Sequence, residues 1–111
     1  MFILSNVIND LYNVVKDRLD NPVENSYTNY LFNKGTDKIL KKVGEECTEV
    51  IIAAKGDSKE DMVAEICDLL YHLEVLMVDR KIEISAVEEE LKKRSTKIGN
   101  SKGDRKEITN L

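Results

Sequence analysis

Helix-breaking residues are scarce in this chain, and this limits its possible folds more than any other feature. Its 111 residues include five glycines and a single proline, Pro22. Between these breakers, apolar residues recur every three or four positions, which is the spacing of amphipathic helices rather than the alternation of strands. The sequence shows no convincing strand, internal repeat or domain linker. We therefore predict an all-α fold.

The breakers and capping residues divide the chain into four main helices and one short helix. Their approximate predicted limits, in chain order, are 2–19, 26–35, 36–55, 58–80 and 86–98. The predicted N-caps are Ser26, Thr36 and either Asp57 or Ser58, and the predicted stops are Gly35 and Gly56. These helices form one domain over residues 1–98. The polar tail, residues 99–111, is expected to be mobile.

Composition and charge exclude several classes of protein. With 34% charged and 41% hydrophobic residues, the chain has the composition of an ordinary soluble domain. A net charge of -4 without a basic stripe argues against nucleic-acid binding. No apolar run approaches the ~18 residues of a membrane span, and the N-terminus lacks a signal-peptide pattern. We expect a cytoplasmic protein whose two cysteines, Cys47 and Cys67, are reduced and buried.

Two of the predicted helices carry extensive apolar surface, and that of the third main helix is more than one partner can cover. On the second main helix, one stripe consists of Leu40, Val43, Cys47, Val50, Ile51 and Ala54. The third main helix is apolar around much of its circumference, with Met62, Val63, Ile66, Leu69, Leu70, Leu73, Val75, Leu76 and Met77. In so short a chain, this excess favours burial against a second subunit. We predict an antiparallel bundle of the four main helices, completed by homodimerisation.

The same two helices carry clusters of acidic residues. The first contains Glu45, Glu46 and Glu49, and the second contains Glu65 and Asp68. Carboxylates three or four residues apart emerge from one side of a helix, so antiparallel pairing would bring the two sets together. Oxygen ligands of this kind favour Mg²⁺ or Mn²⁺. The clusters therefore indicate metal-assisted chemistry on a phosphate substrate.

A simpler interpretation is that the acids form solvated helix faces, with Lys38, Lys42 and Glu46 in ordinary i,i+4 pairs. Two self-repelling clusters on adjacent helices are poorly explained in that way. Other metal sites fit less well, because a di-iron bundle uses Glu-x-x-His motifs and zinc favours closely spaced Cys and His. The one histidine, His72, follows Asp68 by a turn, and both a structural and a functional role remain open for it.

The residues around the acids carry a family resemblance. The pattern Glu-Glu-x-x-Glu, a spacer and Glu-x-x-Asp is similar to the all-α MazG-like nucleoside triphosphate pyrophosphohydrolases. Residues 26–28, the stretch 35–46 and residues 65–72 (EICDLLYH) resemble more narrowly the phosphoribosyl-ATP pyrophosphohydrolases of histidine biosynthesis. The resemblance covers residues 7–94, and the long stretch ending in Glu45 and Glu46 is its most specific part.

This resemblance implies a nucleotide-binding hydrolase that converts 1-(5-phosphoribosyl)-ATP to phosphoribosyl-AMP and pyrophosphate. It implies that Mg²⁺ is held by Glu46, Glu49, Glu65 and Asp68. It makes Glu45 a candidate to orient or deprotonate the attacking water, so that the acids of the first cluster are the expected catalytic residues.

Four basic residues are candidates for contacts with the substrate: Lys38, Lys42, Lys55 and Arg94. Lys38 and Lys42 share the acidic face, whereas a solvated arginine is an equally good interpretation of Arg94. Two rival functions remain. One is a housekeeping nucleoside triphosphate pyrophosphohydrolase with identical metal chemistry, and the other is a non-catalytic helical dimerisation module.

Overall fold

The computed structural model describes residues 4–96, with side chains from residue 7 onward. Five helices follow one another: α1 (Leu4–Asp20), α2 (Tyr27–Lys34), α3 (Thr36–Lys55), α4 (Lys59–Asp79) and α5 (Ile84–Ser95). Residues 4–96 contain no strand, so the predicted all-α class is confirmed. None of the described helices is long and apolar enough to cross a membrane. The predicted mobile tail, 99–111, lies outside the described residues.

The helix boundaries follow the predicted capping residues at α2 and α4 but not at α3 and α5. Helix α5 begins at Ile84, two residues before its predicted start, and Glu83 at its N-cap makes no side-chain cap hydrogen bond. Ser26 accepts a hydrogen bond from the backbone N–H of Asn29, and Ser58 accepts one from the N–H of Asp61, as N-caps do. Thr36 was expected to cap α3, but it is the first helical residue, and Gly35 occupies the cap with φ +94°. Glycine adopts this left-handed region without strain. The Thr36 hydroxyl is thereby left to donate a hydrogen bond to Asp79 Oδ2 at 2.7 Å.

Helices α3 and α4 form an antiparallel pair that positions the acidic residues. The short connection 56–58 joins them at one end, and the bond from Thr36 to Asp79 ties them at the other. Helix α1 packs against α4, and α2 packs against α3. The buried apolar core lies where these four helices meet and consists of Tyr12, Val15, Leu31, Ile39, Val75 and Val78. This core fixes the α3–α4 pair near its Thr36 end.

The apolar stripe of α3 does not face this core. The buried residues of α3 are Ile39 and Glu46, whereas Leu40 and Ile51 are 49% and 64% exposed. The expectation that both cysteines are buried is therefore wrong for the isolated chain, in which Cys47 and Cys67 are free and exposed. The physical reason is that α2 and α4 cover the opposite side of α3. Within one chain, α3 therefore buries the side opposite to its apolar stripe.

Candidate active site

Three carboxylates converge between the antiparallel helices. Glu46 lies on α3, and Glu65 and Asp68 lie one turn apart on α4. Each offers a carboxylate oxygen, and these oxygens all lie within 4.8 Å of one another. The spacing of Glu65 and Asp68 places both on one side of α4, and the antiparallel packing brings Glu46 opposite them. The structure thus brings together acids from both sequence clusters.

The three carboxylates concentrate negative charge in a small volume. Burial raises the pKa of Glu65, and so do its hydrogen bond with Asp68 and the charges of Asp68, Glu49 and Glu46. Glu46 itself is only 8% exposed. Carboxylates held this close repel one another unless a proton or cation lies between them. Because the donors are all carboxylate oxygens, the group fits a hard divalent cation such as Mg²⁺ or Mn²⁺.

Lys42 lies beside the carboxylates and contacts two of the acids. Its Nζ is 3.2 Å from Glu45 Oε1 and 3.6 Å from Glu46 Oε2. The hydrogen bond from Lys42 lowers the pKa of Glu45, with further lowering from the charges of Lys42, Lys41 and Lys38. Glu45 is therefore a carboxylate at neutral pH and can accept a hydrogen bond or a proton from water.

His72 connects the acidic group to α2. The ring is 5% exposed, and its Nδ1 lies 2.7 Å from the backbone carbonyl oxygen of Asp68. Since a carbonyl can only accept, Nδ1 donates, and in the neutral ring Nε2 accepts from the Tyr27 hydroxyl at 2.9 Å. A second hydrogen bond joins Thr28 Oγ1 and the Tyr71 hydroxyl. These two bonds hold α2 against the part of α4 that carries Asp68.

Sequence reasoning did not assign a role to the aromatic side of this network. In the sequence, Tyr27 and Thr28 stand out only as part of the Ser-Tyr-Thr stretch of the family resemblance, and Tyr71 only as a neighbour of His72. The available signal was the position of Tyr27 directly after the N-cap of a short helix. That position does not name His72 as the partner, because the two residues are 45 positions apart.

The remaining predicted residues differ in how they interact with the acidic group. Glu49 is not one of the three converging acids, yet its charge contributes to the raised pKa of Glu65. Lys38 acts on Glu45 through its charge. Lys55 is exposed in the last turn of α3. Arg94 forms an ion pair with Glu90 at 3.0 Å and borders a groove along α5 that includes none of the acidic site residues.

Comparisons with known proteins identify the family of the chain. The family model of phosphoribosyl-ATP pyrophosphohydrolase matches residues 8–95, which include all five acids of the two clusters. A phosphoribosyl-ATP pyrophosphatase of Clostridium novyi (strain NT) is 57% identical over 105 residues, covering 95% of this chain and 96% of the relative. The enzyme of the same name from Listeria monocytogenes serotype 4a is 55% identical over 105 residues, covering 95% of this chain and all of the relative. That of Bacillus cytotoxicus is 48% identical over 108 residues, covering 97% and 100%. The chain belongs to the phosphoribosyl-ATP pyrophosphohydrolase family.

Proposed function

We propose that this protein hydrolyses 1-(5-phosphoribosyl)-ATP to phosphoribosyl-AMP and pyrophosphate, in the cytoplasm, as a step of histidine biosynthesis. The observation that carries the proposal is the convergence of Glu46, Glu65 and Asp68 within a chain whose residues 8–95 match the family. Three close carboxylates are an arrangement for holding a cation against a polyphosphate.

The metal of the reaction is Mg²⁺, for which Mn²⁺ can substitute. Glu46, Glu65 and Asp68 would hold it, and Glu49 is the proposed fourth ligand because its charge acts on Glu65. When bound, the cation neutralises phosphate oxygens and lowers the pKa of a water molecule. The protein supplies a fixed set of oxygens on two helices whose packing prevents them from separating.

Glu45 is the proposed base for the attacking water, and Lys42 keeps Glu45 ionised. Glu45 is held as a carboxylate by Lys42, so it can orient the attacking water and accept its proton. Lys42 and Lys38 contact the phosphates, since both lie on the side of α3 that carries Glu45. For Lys55 and Arg94, the described contacts give no comparable support.

Pyrophosphate release with Mg²⁺, measured for phosphoribosyl-ATP and for a panel of nucleoside triphosphates, tests the proposal. We expect phosphoribosyl-ATP to have the highest kcat/KM. A higher value for a common triphosphate would instead identify a housekeeping pyrophosphohydrolase with the same metal chemistry. Release from none of these compounds would leave the helical dimerisation module as the function.

We also propose that the four longer helices form an antiparallel bundle that is completed by a second copy of the chain. The support is the large exposed apolar surface on the central pair: Leu40, Ile51, Ile52, Met62, Val63, Ile66 and Leu70 are each at least 36% exposed. On α4, several of these recur at i, i+4 spacing and thus lie on one face. A monomeric protein rarely leaves so many large apolar side chains on one helix pair in water.

Light scattering is expected to give a mass twice that of the 12.7 kDa chain at micromolar concentration. Val63 is 61% exposed, so Val63→Glu should leave the fold of one chain intact while placing a charge in the interface. We expect this variant to be monomeric and helical by circular dichroism. Leu19→Glu, at a 46% exposed position on α1, is the matched control and should remain dimeric. A monomeric wild-type protein would contradict the proposal.

A further inference from the structure

A cleft of about 900 Å³ lies between the loop that precedes α2 and α2 itself. Its walls include Pro22, Tyr27, Tyr30 and Lys34. The volume falls within the range of small-molecule sites, roughly 300–1,000 Å³. None of the acids or lysines considered above lines it, so the proposed phosphate chemistry leaves the cleft without a role.

Hydrogen bonds from one side chain hold the loop side of the cleft in place. Asn29 Oδ1 accepts from the backbone N–H of Val23 at 2.8 Å, and Asn29 Nδ2 donates to the carbonyl oxygen of Arg18 at 2.6 Å. The loop between α1 and α2 is therefore tied to the helices on both sides of it. A cleft that is formed in advance costs a ligand little conformational entropy on binding.

Tyr27 connects this cleft to the acidic group. Its ring lines the cleft, while its hydroxyl donates to His72 Nε2 at 2.9 Å, and His72 is in turn bonded to the backbone of Asp68. Burial raises the pKa of this hydroxyl, and the charges of Lys42 and Glu46 also act on it. Tyr27 therefore belongs both to the cleft wall and to the hydrogen-bonded chain that ends at Asp68.

The cleft presents an aromatic surface and a cation. The rings of Tyr27 and Tyr30 are nearly parallel, with an interplanar angle of 23° and centroids 5.9 Å apart. The two residues remain 45% and 42% exposed. Lys34 Nζ lies 5.8 Å from the centroid of the Tyr30 ring, one turn farther along α2. Because both rings are partly exposed in a preformed cleft, they offer a surface on which a planar ring can stack.

We propose that this cleft is the base subsite: the purine stacks on the Tyr27–Tyr30 pair, and Lys34 binds a phosphate carried on the far side of the base. This inference rests on the proposed function, because phosphoribosyl-ATP carries a triphosphate on one side of its adenine and a phosphoribosyl group on the other. With the triphosphate at the carboxylates and the base beside Tyr27, the second phosphate extends along α2 towards Lys34. The subsite thereby distinguishes this substrate from ordinary ATP.

The test compares Tyr30→Ala, Tyr30→Phe and Lys34→Ala in two assays, steady-state hydrolysis of phosphoribosyl-ATP and calorimetric binding of AMP. Tyr30→Ala should raise the KM for phosphoribosyl-ATP about tenfold or more with little change in kcat, and should weaken AMP binding similarly. Tyr30→Phe keeps the ring and should resemble wild type in both assays. Lys34→Ala should raise the KM about tenfold but leave AMP binding unchanged, because AMP lacks the second phosphate.

An exposed lysine on α5, Lys93, provides the matched control, and Lys93→Ala should leave both assays unchanged. If wild type is active while Tyr30→Ala retains its KM and its AMP affinity, the stacking subsite is wrong and the proposed function stands. If wild type does not hydrolyse phosphoribosyl-ATP, the proposed function fails, and AMP binding by Tyr30→Ala still decides the stacking role. Equal weakening of AMP and phosphoribosyl-ATP binding by Lys34→Ala would overturn the assignment of Lys34.

Discussion

Replacing Asp68 with asparagine is expected to lower kcat/KM for pyrophosphate release by at least about a hundredfold, because even residues that only support metal ligands commonly matter by 10–100-fold. Asn keeps the shape of the side chain but removes one charge from the converging carboxylates. Less negative charge weakens the hold on Mg²⁺, so the variant should also require more Mg²⁺ for half-maximal activity. Steady-state assays across a Mg²⁺ titration measure both effects.

A readout that does not depend on turnover separates metal binding from catalysis. Mg²⁺ should raise the Tm of the wild-type protein, since a ligand that binds only the folded state stabilises it. Asp68→Asn should show little of this increase, while its metal-free Tm should equal or exceed that of wild type because repulsion with Glu46 and Glu65 is relieved. Glu60→Gln, an exposed position in the first turn of α4, is the matched control. Full activity and a normal Mg²⁺-induced shift in Asp68→Asn would refute the metal site.

The same two assays decide the place of Glu49. If Glu49 is a fourth ligand, Glu49→Gln should lose the Mg²⁺-induced rise in Tm as Asp68→Asn does. Normal Mg²⁺ stabilisation in this variant would restrict the ligand set to the three converging acids.

Replacing Glu74 with leucine is expected to stabilise the protein, and to do so most strongly at alkaline pH. Glu74 is 2% exposed, and both of its carboxylate oxygens are buried without a hydrogen-bond partner among the described residues. It lines an apolar cavity of about 400 Å³ between α1, α4 and α5, together with Ile8, Leu73 and Val87. A buried charge without a partner is costly, and apolar replacements of buried ionic groups are often stabilising.

The direction of the pH dependence follows from the pKa of Glu74, which burial raises from 4.5 to about 7. Burial favours the protonated form of Glu74 in the folded state, so the contribution of this group to the free energy of unfolding is fully present below pH 4.5. That stability is lost as the pH rises through about 7, where the buried group must ionise. The loss amounts to roughly 3 kcal/mol when fully developed. Glu74→Leu has no group to ionise at this position and should not lose this stability. The difference in free energy of unfolding between the variant and wild type should therefore grow between pH 5 and pH 8.5.

Urea unfolding at these two pH values, at one fixed protein concentration, measures the difference. Glu89→Leu makes the same substitution at an exposed position of α5 and should change the free energy of unfolding by no more than about 0.5 kcal/mol. A difference between Glu74→Leu and wild type that is the same at both pH values would show that burial does not raise the pKa of Glu74.

Local sequence signals were sufficient for the helices because capping and breaking act over a few residues. Ser26 and Ser58 cap α2 and α4 as predicted, whereas the cap of α3 moved by one residue, from Thr36 to Gly35, and α5 begins two residues before its predicted start. The same locality explains the acids, since Glu65 and Asp68 share a helix face by spacing alone. Their approach to Glu46 needed one further assumption, antiparallel pairing, which the short connection 56–58 enforces.

The side of α3 that is buried could not be read from its sequence. Periodicity shows that a helix has two faces, and it assigns the apolar one to the interior on the assumption that the interior belongs to the same chain. Here α2 and α4 cover the side that carries Ile39 and Glu46, and the apolar stripe with Cys47 is exposed. The burial of Glu74 could not be predicted for a related reason. The sequence of an apolar helix does not show whether the carboxylate of a glutamate within it has a hydrogen-bond partner.

The sequence by itself determined the helices, most of their limits and the acidic pattern on which the proposed chemistry rests, because each depends on neighbours within a turn or two. Only the tertiary structure decided which acids meet, how His72 joins Asp68 to Tyr27, and where a preformed aromatic cleft lies. These features depend on residues far apart in the chain: Tyr27 and His72 are 45 positions apart. Their distance and orientation are set by the packing of whole helices, which no local pattern encodes.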